Sequence, residues 1–264
     1  MNALGKLKQE LCRLSHDLGR PEQRLVILGE GNTSCRVDSE TFLVKASGSQ
    51  LQDLKEDQLV QVLFEPVLET LGQRLDDERV SAVLENSRVD PEGPRPSVET
   101  LFHGWLLSQE SVNFVGHTHP TEVNKILCSD QAPQFAENRM FPDEIVCCGP
   151  KSLLVEYTDP GTDLGTVISR EFELFVSREG LQPRVILVRN HGLIAIGATP
   201  GAVLASTLMA AKAAEVFIGA CSAGGPTFMT PSDVARIHSR LDEHYRQQQL
   251  INSSPSSAPW REKH

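Results

Sequence analysis

The segment RVILVRNHGLIAIG, residues 184–197, constrains the fold more than any other part of the chain. Runs of Val, Ile and Leu lie on both sides of Asn190-His191-Gly192. β-Branched residues favour extended strands, whereas Asn and Gly favour tight turns. The segment therefore predicts two neighbouring strands around a short turn. Such a pair buries its apolar side chains only when further strands and helices pack around it.

The first part of the chain has a similar organisation. A helix is predicted over residues 2–18, where leucines recur at helical spacing. Two strands are predicted on either side of Asp38-Ser39-Glu40, whereas the periodicity of residues 50–62 predicts a second helix. Residues 73–95 are charged and contain DPEGPRP, which indicates a surface loop.

A further helix is predicted after this stretch, with Ser97 as its N-cap because it follows Pro96. Its buried face would contain five apolar residues: Val98, Leu101, Phe102, Trp105 and Leu106. Hairpin-like pairs of strands alternate with helices along the chain, and the last helices are predicted near 200–220 and 231–249. The predicted fold class is α/β (α+β), with a mixed, largely antiparallel central sheet covered by helices.

Composition limits the kinds of partner. The formal net charge of −10 argues against nucleic-acid binding, which depends on Lys and Arg contacts to phosphates. Residues 201–221 are apolar but contain Lys212 and Glu215, so they predict a buried helix and no membrane contact. The six cysteines form no CxxC pair, which favours reduced thiols and a cytoplasmic protein. One domain is expected over residues 1–250, followed by a polar, disordered tail at 251–264.

The stretch NFVGHTHP is a candidate metal-binding motif. His117 and His119 are one residue apart at the end of an apolar run, and a strand projects residues i and i+2 from the same face. Pro120 would then end the strand. Aligned imidazoles can share a metal ion, although alternate histidines at a strand end are also common on ordinary polar surfaces.

Two other residues could complete such a site. Glu99 lies in the first turn of the predicted helix, where it could also serve only to complement the helix dipole. His191 lies in the turn between two apolar runs, and a histidine before glycine is often a simple turn residue. His103, one helical turn after Glu99, is more typical of a packed or supporting residue than of a ligand. Together, three histidines and one acid fit a metal site with nitrogen and carboxylate ligands.

Two short turns, GEGNTS at 29–34 and KASGS at 45–49, are rich in Gly and hydroxyl residues. Such turns expose backbone N–H groups and can hold an anion, although many ordinary hairpin turns have the same composition. The spacing of the first turn differs from a dinucleotide-binding GxGxxG motif.

The ordered set GEGNTS, KASG, PSVET, GHTHP, YTDPGTDL and NHGLIAIG resembles the class II aldolase/adducin family over most of residues 5–220. The fuculose-phosphate and rhamnulose-phosphate aldolases are similar to it. The resemblance implies a class II aldolase-like three-layer fold. It also implies a Zn²⁺ ion, with Mn²⁺ or Co²⁺ as alternatives, held by four residues: Glu99, His117, His119 and His191.

The same resemblance implies further site residues. Glu99 would also be the catalytic acid/base, and Tyr157 would donate a proton, in some aldolases from a neighbouring subunit. Five residues would bind the substrate and its phosphate: Gly31, Asn32, Ser47, Gly48 and Ser97. Val98 departs from the pattern, because aldolases that bind dihydroxyacetone phosphate usually have a second serine there.

The resemblance therefore implies a zinc-dependent class II aldolase that cleaves or forms a C–C bond in a sugar or sugar phosphate through a metal-stabilised enediolate. Its partners would be that small molecule and three further copies of the chain in a homotetramer. The alternatives are a 3-oxo acid phosphate decarboxylase, a sugar-phosphate 4-epimerase, and a non-catalytic adducin-like module. A decarboxylase would need a cation that recognises a carboxylate, for which Lys45 and Arg189 are candidates.

Overall fold

A single seven-stranded sheet organises the part of the chain that the computed structural model describes, residues 2–73 and 75–240. Its strands are β1 (Asn32–Arg36), β2 (Thr41–Lys45), β3 (Leu59–Leu63), β4 (Phe114–Thr118), β5 (Leu153–Val155), β6 (Val185–Val188) and β7 (Gly192–Gly197). The strand order is β3-β2-β1-β4-β7-β6-β5. Neighbouring strands are antiparallel except β5 and β6, which are parallel. The predicted mixed, largely antiparallel sheet is confirmed.

Helices cover both faces of this sheet. They are α1 (Ala3–Leu18), α2 (Phe64–Glu69), α3 (Asp77–Asn86), α4 (Thr100–Ser108), α5 (Thr121–Leu127), α6 (Ala132–Glu137), α7 (Pro142–Cys148), α8 (Thr162–Glu179), α9 (Pro200–Ser222) and α10 (Pro231–His238). Helices α1, α5 and α9 pack on one face, and α2, α4 and α8 pack on the other. The three-layer, single-domain fold expected from the resemblance is therefore present.

The hairpin of β6 and β7 shows why the sheet needs two helical layers. Val185 and Leu187 belong to one apolar core, whereas Ile186 and Val188 belong to the other. Successive residues of a strand point to opposite faces, so a strand that is apolar throughout must be covered on both sides. Each buried Val, Leu or Ile contributes roughly 1.5–3 kcal/mol relative to exposure. The predicted strand pair at 184–197 is confirmed.

Two predictions of local structure are wrong. Residues 50–62 form a short 3₁₀ turn and then β3, because Val60 and Val62 alternate with period two and pair with β2. The predicted surface loop at 73–95 contains α3, whose N-cap Asp76 accepts a hydrogen bond from the backbone N–H of Arg79. Val80 and Leu84 of α3 are buried on its inner face.

The start of α4 also differs from the prediction. The helix begins at Thr100, and the carbonyl of Ser97, not its hydroxyl, accepts from the backbone N–H of Thr100. Pro96 forms an isolated bridge with Ala46, and residues 98 and 99 then turn into the helix. Val98 is 42% exposed and does not belong to the buried face, whereas the other four predicted residues are buried.

Helix α9 is long and apolar enough to span a membrane by length and composition. In this fold it instead packs on the sheet and on α1, α5 and α7. Its buried side chains include Val203, Ala210 and Phe217, as the sequence predicted for a core helix. None of the six cysteines forms a disulfide bond. The predicted tail at 251–264, and the end of the helix predicted at 231–249, lie outside the described residues.

Candidate metal centre

Strand β4 aligns the first two histidines. His117 lies inside the strand, paired with Asn32 of β1 on one side and with Ile194 of β7 on the other. His119 follows the strand, and its backbone N–H donates to the carbonyl of Leu25. The two rings are therefore on the same face, with Nε2 of His119 3.0 Å from Nε2 of His117.

The connection between β6 and β7 brings the third histidine to the same place. Asn190 has a positive φ of 54°, which turns the chain sharply before His191. The side-chain amide of Asn124 donates to the carbonyl of His191 and fixes the turn against α5. One ring nitrogen from each of His117, His119 and His191 lies within 4.8 Å of the others.

Glu99 completes the cluster from the start of α4. Its Oε1 lies 3.4 Å from Nε2 of His117 and 3.2 Å from Nε2 of His191. The carboxylate is mostly buried, with 16% of the side chain exposed. Four side chains from three separate parts of the chain thus converge, as the sequence predicted.

The donor set fits a divalent cation. Nδ1 of His117 lies 3.0 Å from the carbonyl of Leu193 and must donate its proton there, so the lone pair available to a metal is on Nε2. Ligand atoms around a tetrahedral zinc ion lie about 3.3 Å apart when each is about 2.0–2.1 Å from the metal. The separations of 3.0 Å between His117 and His119, 3.2 Å between His191 and Glu99, and 3.4 Å between His117 and Glu99 are similar to this value. Three imidazoles and one carboxylate form a donor set that zinc commonly takes.

The electrostatics of the cluster favour a cation. Burial alone would raise the pKa of Glu99, but the charge of His117 and the hydrogen bonds from His117, His191 and Asn32 hold this pKa well below its usual range. Burial lowers the pKa of His117, but Glu99 outweighs this effect and raises it. These two shifts favour a proton held between His117 and Glu99. A metal ion bound at the same place would compete with that proton. Burial, then the neighbouring His117 and His191, lower the pKa of His119 to about 3.

Comparison with known proteins identifies the family. Residues 9–218 match the sequence profile described as Class II Aldolase and Adducin N-terminal domain. The chain belongs to the class II aldolase/adducin family. Class II aldolases generally use a divalent metal ion, and the histidine triad is arranged to bind one.

Two curated relatives show the range of this family. The chain is 28% identical over 228 residues to the protein named uncharacterized oxidoreductase YuxG of Bacillus subtilis, a match that covers 81% of this chain and 30% of YuxG. It is 27% identical over 184 residues to 3-oxo-tetronate 4-phosphate decarboxylase of Haemophilus influenzae, covering 68% of this chain and 73% of that protein. The chain thus spans less than a third of the length of YuxG.

A solved structure named L-fuculose 1-phosphate aldolase has the same fold. The match has a TM-score of 0.69 at 17% identity and covers 92% of this chain and 98% of that chain. At this identity the likeness concerns the fold alone. The match therefore confirms the fold and does not distinguish between the activities that the family's members carry.

Two of the residues that the family resemblance assigned to the substrate line a cavity next to the segment that carries Glu99. Ser47 and Ser97 line a cavity of about 480 Å³, together with Arg95, Asp159 and Thr162. His119 lines a second cavity of about 400 Å³. The hydroxyl of Ser97 is buried and has no hydrogen-bond partner in the described structure, so it is available to a ligand.

The two glycines of this predicted set both have positive φ angles. Gly31 has a φ of 70°, and a Cβ there would lie 2.6 Å from the carbonyl oxygen of His117, so only glycine allows the first turn to approach β4. Gly48 has a φ of 78°, and a Cβ there would meet nothing within 4 Å. Neither of the two cavities includes Gly31, Asn32 or Gly48 in its lining. Their assignment to phosphate binding stays a prediction.

Asn32 has a role that the sequence did not reveal. Its side-chain amide donates to Oε2 of Glu99, and its carbonyl oxygen contacts Nε2 of His103. Nδ1 of His103 lies 2.6 Å from the hydroxyl of Ser34. Burial, followed by the charge of His117, lowers the pKa of His103 to about 3, so its ring is neutral. The sequence signals for this arrangement are the spacing of Asn32 and Ser34 on one strand and of Glu99 and His103 on one helix.

Tyr157 and the two basic residues considered for carboxylate binding, Lys45 and Arg189, contact other groups of the protein. Tyr157 is 54% exposed and donates a 2.8 Å hydrogen bond to Asp159. Lys45 is buried, and its ammonium donates to the carbonyls of Ser49 and Ala46. The guanidinium of Arg189 donates to the carbonyl of Ser129 and lies 3.6 Å from a carboxylate oxygen of Glu156.

Proposed function

We propose that this protein is a zinc-dependent class II aldolase, an aldehyde-lyase that cleaves or forms a C–C bond in a sugar or sugar phosphate. The convergence of Oε1 of Glu99 with the Nε2 atoms of His117 and His191, beside His119, carries this proposal. A lyase of this kind needs a Lewis acid and a nearby carboxylate that can move a proton. The cluster supplies ligands for the first and contains the second.

Three imidazoles would hold the zinc ion: His117, His119 and His191. When bound there, zinc supplies Lewis acidity that polarises a substrate carbonyl next to the bond that breaks. Glu99 would be the fourth ligand in this proposal and would also supply the carboxylate that moves the proton. Its position is suitable because only Oε1 faces the histidines, while Asn32 holds Oε2.

Tyr157 would protonate the oxygen of the departing aldehyde. Its exposure is consistent with a role at the active site of an adjoining subunit, since an exposed side chain can reach across an interface. This part of the proposal requires a homotetramer, as in the aldolases that the sequence resembles. The proposed location is the cytoplasm, where sugars and sugar phosphates are available.

The end of the substrate that carries the phosphate would lie near Ser47 and Ser97. The cavity that these serines line adjoins the segment that carries Glu99. The proposal assigns Gly31, Asn32 and Gly48 to the same end of the substrate through the two turns that contain them. Val98 supplies no hydroxyl at the position where the aldolases for dihydroxyacetone phosphate usually have one. A free sugar is therefore included beside the sugar phosphates as a candidate substrate.

The test combines metal analysis, a substrate panel and one substitution. Purified protein should contain about one zinc per chain, and zinc-loaded protein should release dihydroxyacetone phosphate or glycolaldehyde from one member of a panel of sugars and sugar phosphates. Glu99→Gln should retain zinc and lose turnover by roughly 10²–10⁴-fold, the usual contribution of a positioned acid/base. Glu110→Gln changes an exposed carboxylate after α4 and is the matched control. Wild-type turnover in Glu99→Gln would contradict the role of Glu99.

A decarboxylase is the second candidate, and the 27% identity to 3-oxo-tetronate 4-phosphate decarboxylase favours it. The ammonium of Lys45 uses two of its three N–H groups on carbonyls, which leaves one donor for a substrate carboxylate. Release of carbon dioxide from a 3-oxo acid phosphate, without release of an aldehyde, would identify this activity. An epimerase would release neither product. A non-catalytic adducin-like module would contain no stoichiometric zinc.

A further inference from the structure

Two regular periods bring four polar side chains together beneath the cluster. Asn32 and Ser34 are two residues apart on β1 and therefore share one face of the strand. Glu99 and His103 are one helical turn apart at the start of α4 and therefore share one face of the helix. Because these two faces pack on each other, the four side chains form one row in which strand and helix residues alternate. The order along the row is Ser34, His103, Asn32 and Glu99.

The hydrogen bonds along this row can be assigned one by one, starting from Glu99. An ionised carboxylate only accepts hydrogen bonds, so the NH₂ group of Asn32 must face Oε2 of Glu99. The carbonyl oxygen of Asn32 then faces Nε2 of His103 and can only accept, so Nε2 of His103 must carry the ring proton. Nδ1 of the neutral ring therefore accepts from the hydroxyl of Ser34 at 2.6 Å.

We infer that His103 is a positioning residue that fixes the carboxamide of Asn32, so that Asn32 holds Oε2 of Glu99 and leaves Oε1 to face His117 and His191. This inference rests on the proposed function for its effect on turnover, but its hydrogen-bond pattern can be tested without a substrate. Ser34 supports this arrangement because its hydroxyl can donate to Nδ1 once the carbonyl oxygen of Asn32 has placed the ring proton on Nε2.

Burial makes this arrangement specific. His103 and Ser34 have no exposed surface, and Asn32 is 4% exposed, so water cannot replace a missing partner. Loss of His103 would leave the carbonyl oxygen of Asn32 buried without a donor, which destabilises this orientation and favours rotation of the carboxamide. A rotated carboxamide would present its oxygen to the carboxylate and repel it. Glu99 would then leave the position from which it faces His117 and His191.

The first test uses ¹⁵N NMR spectroscopy of metal-free, full-length protein. The ring of His103 should show a protonated Nε2 and an unprotonated Nδ1, and one amide proton of the Asn32 side chain should be shifted downfield by its bond to Glu99. A protonated Nδ1 at His103 would overturn the inference. Because no substrate is used, this result stands whether or not the protein is an aldolase.

The second test compares two substitutions of His103 in zinc-loaded protein. His103→Leu removes the donor, and kcat should fall roughly 10–100-fold, as is typical when a group that supports a ligand is lost, while KM changes little. His103→Gln can donate to Asn32 and accept from Ser34, so it should restore most of kcat. Ser108→Ala lies on the same helix away from this row and should behave as wild type. Equal losses in the Leu and Gln variants, with both folded, would overturn the inference.

Discussion

Nε2 of His119 lies 3.0 Å from Nε2 of His117, where the two nitrogens can form a hydrogen bond only if one of them carries a proton. Nδ1 of His117 is already directed at the carbonyl of Leu193. Two ring nitrogens this close repel each other unless a proton or a cation lies between them. Glu99 adds negative charge beside the same pair, which favours positive charge between the two nitrogens, as a proton or as a bound cation.

Removal of the metal should lower thermal stability. A ligand present at about 100 times its Kd stabilises the native state by about 2.7 kcal/mol, which corresponds to roughly 5–10 °C in Tm for a chain of this size. Differential scanning calorimetry before and after dialysis against a chelator, and again after addition of zinc, would measure the change. In His191→Ala the chelator should have almost no effect. A wild-type Tm that does not respond to the chelator would contradict the metal site.

Gly192→Ala should disturb the histidines without changing any of them. A Cβ at Gly192 would lie 2.6 Å from a ring carbon of His119 and 2.7 Å from the carbonyl oxygen of Thr118. Such overpacking typically costs about 1–3 kcal/mol, and here it would push His119 away from His117. We expect weaker zinc binding, measured by competition with a chromophoric chelator. Gly219→Ala, where a Cβ would meet nothing within 4 Å, is the control and should bind zinc normally.

The stability of the metal-free protein should depend on pH through His103. Its pKa is lowered from 6.5 to about 3 by burial, so below pH 6.5 the unfolded chain binds a proton at this residue that the folded protein does not bind. This residue's contribution to stability is therefore lost as the pH falls from 6.5 towards 3, by roughly 1 kcal/mol per pH unit. Urea unfolding of wild type and His103→Gln at several pH values would isolate it. Parallel curves for the two proteins would contradict this prediction.

Tyr157→Phe should lower turnover and leave zinc content unchanged. If the hydroxyl protonates the departing aldehyde, its loss should reduce kcat by roughly 10²–10⁴-fold. Zinc content should stay at the wild-type value because Tyr157 is no part of the histidine cluster. Mixing Tyr157→Phe with Glu99→Gln subunits should recover some activity if the two residues act across an interface. Full activity of Tyr157→Phe alone would exclude this role.

The sequence by itself predicted the elements whose apolar period is unambiguous. The β6–β7 hairpin and α9 agree with the prediction because long apolar runs leave few alternatives. The helix predicted at residues 50–62 was wrong because leucines at mixed spacing also satisfy a helical period. Only the pairing with β2 selects the strand β3. In the same way α3 was missed because its two buried residues are surrounded by charges.

The sequence also supplied the four candidate ligands, because histidine and glutamate types and the ordered motifs are visible in it. Only the tertiary structure decided that Glu99 presents one oxygen to the histidines and the other to Asn32. That choice depends on the packing of α4 on β1, which aligns residues 67 positions apart in the chain. Local sequence determines which face of each element is polar; the register between helix and strand determines which polar groups meet.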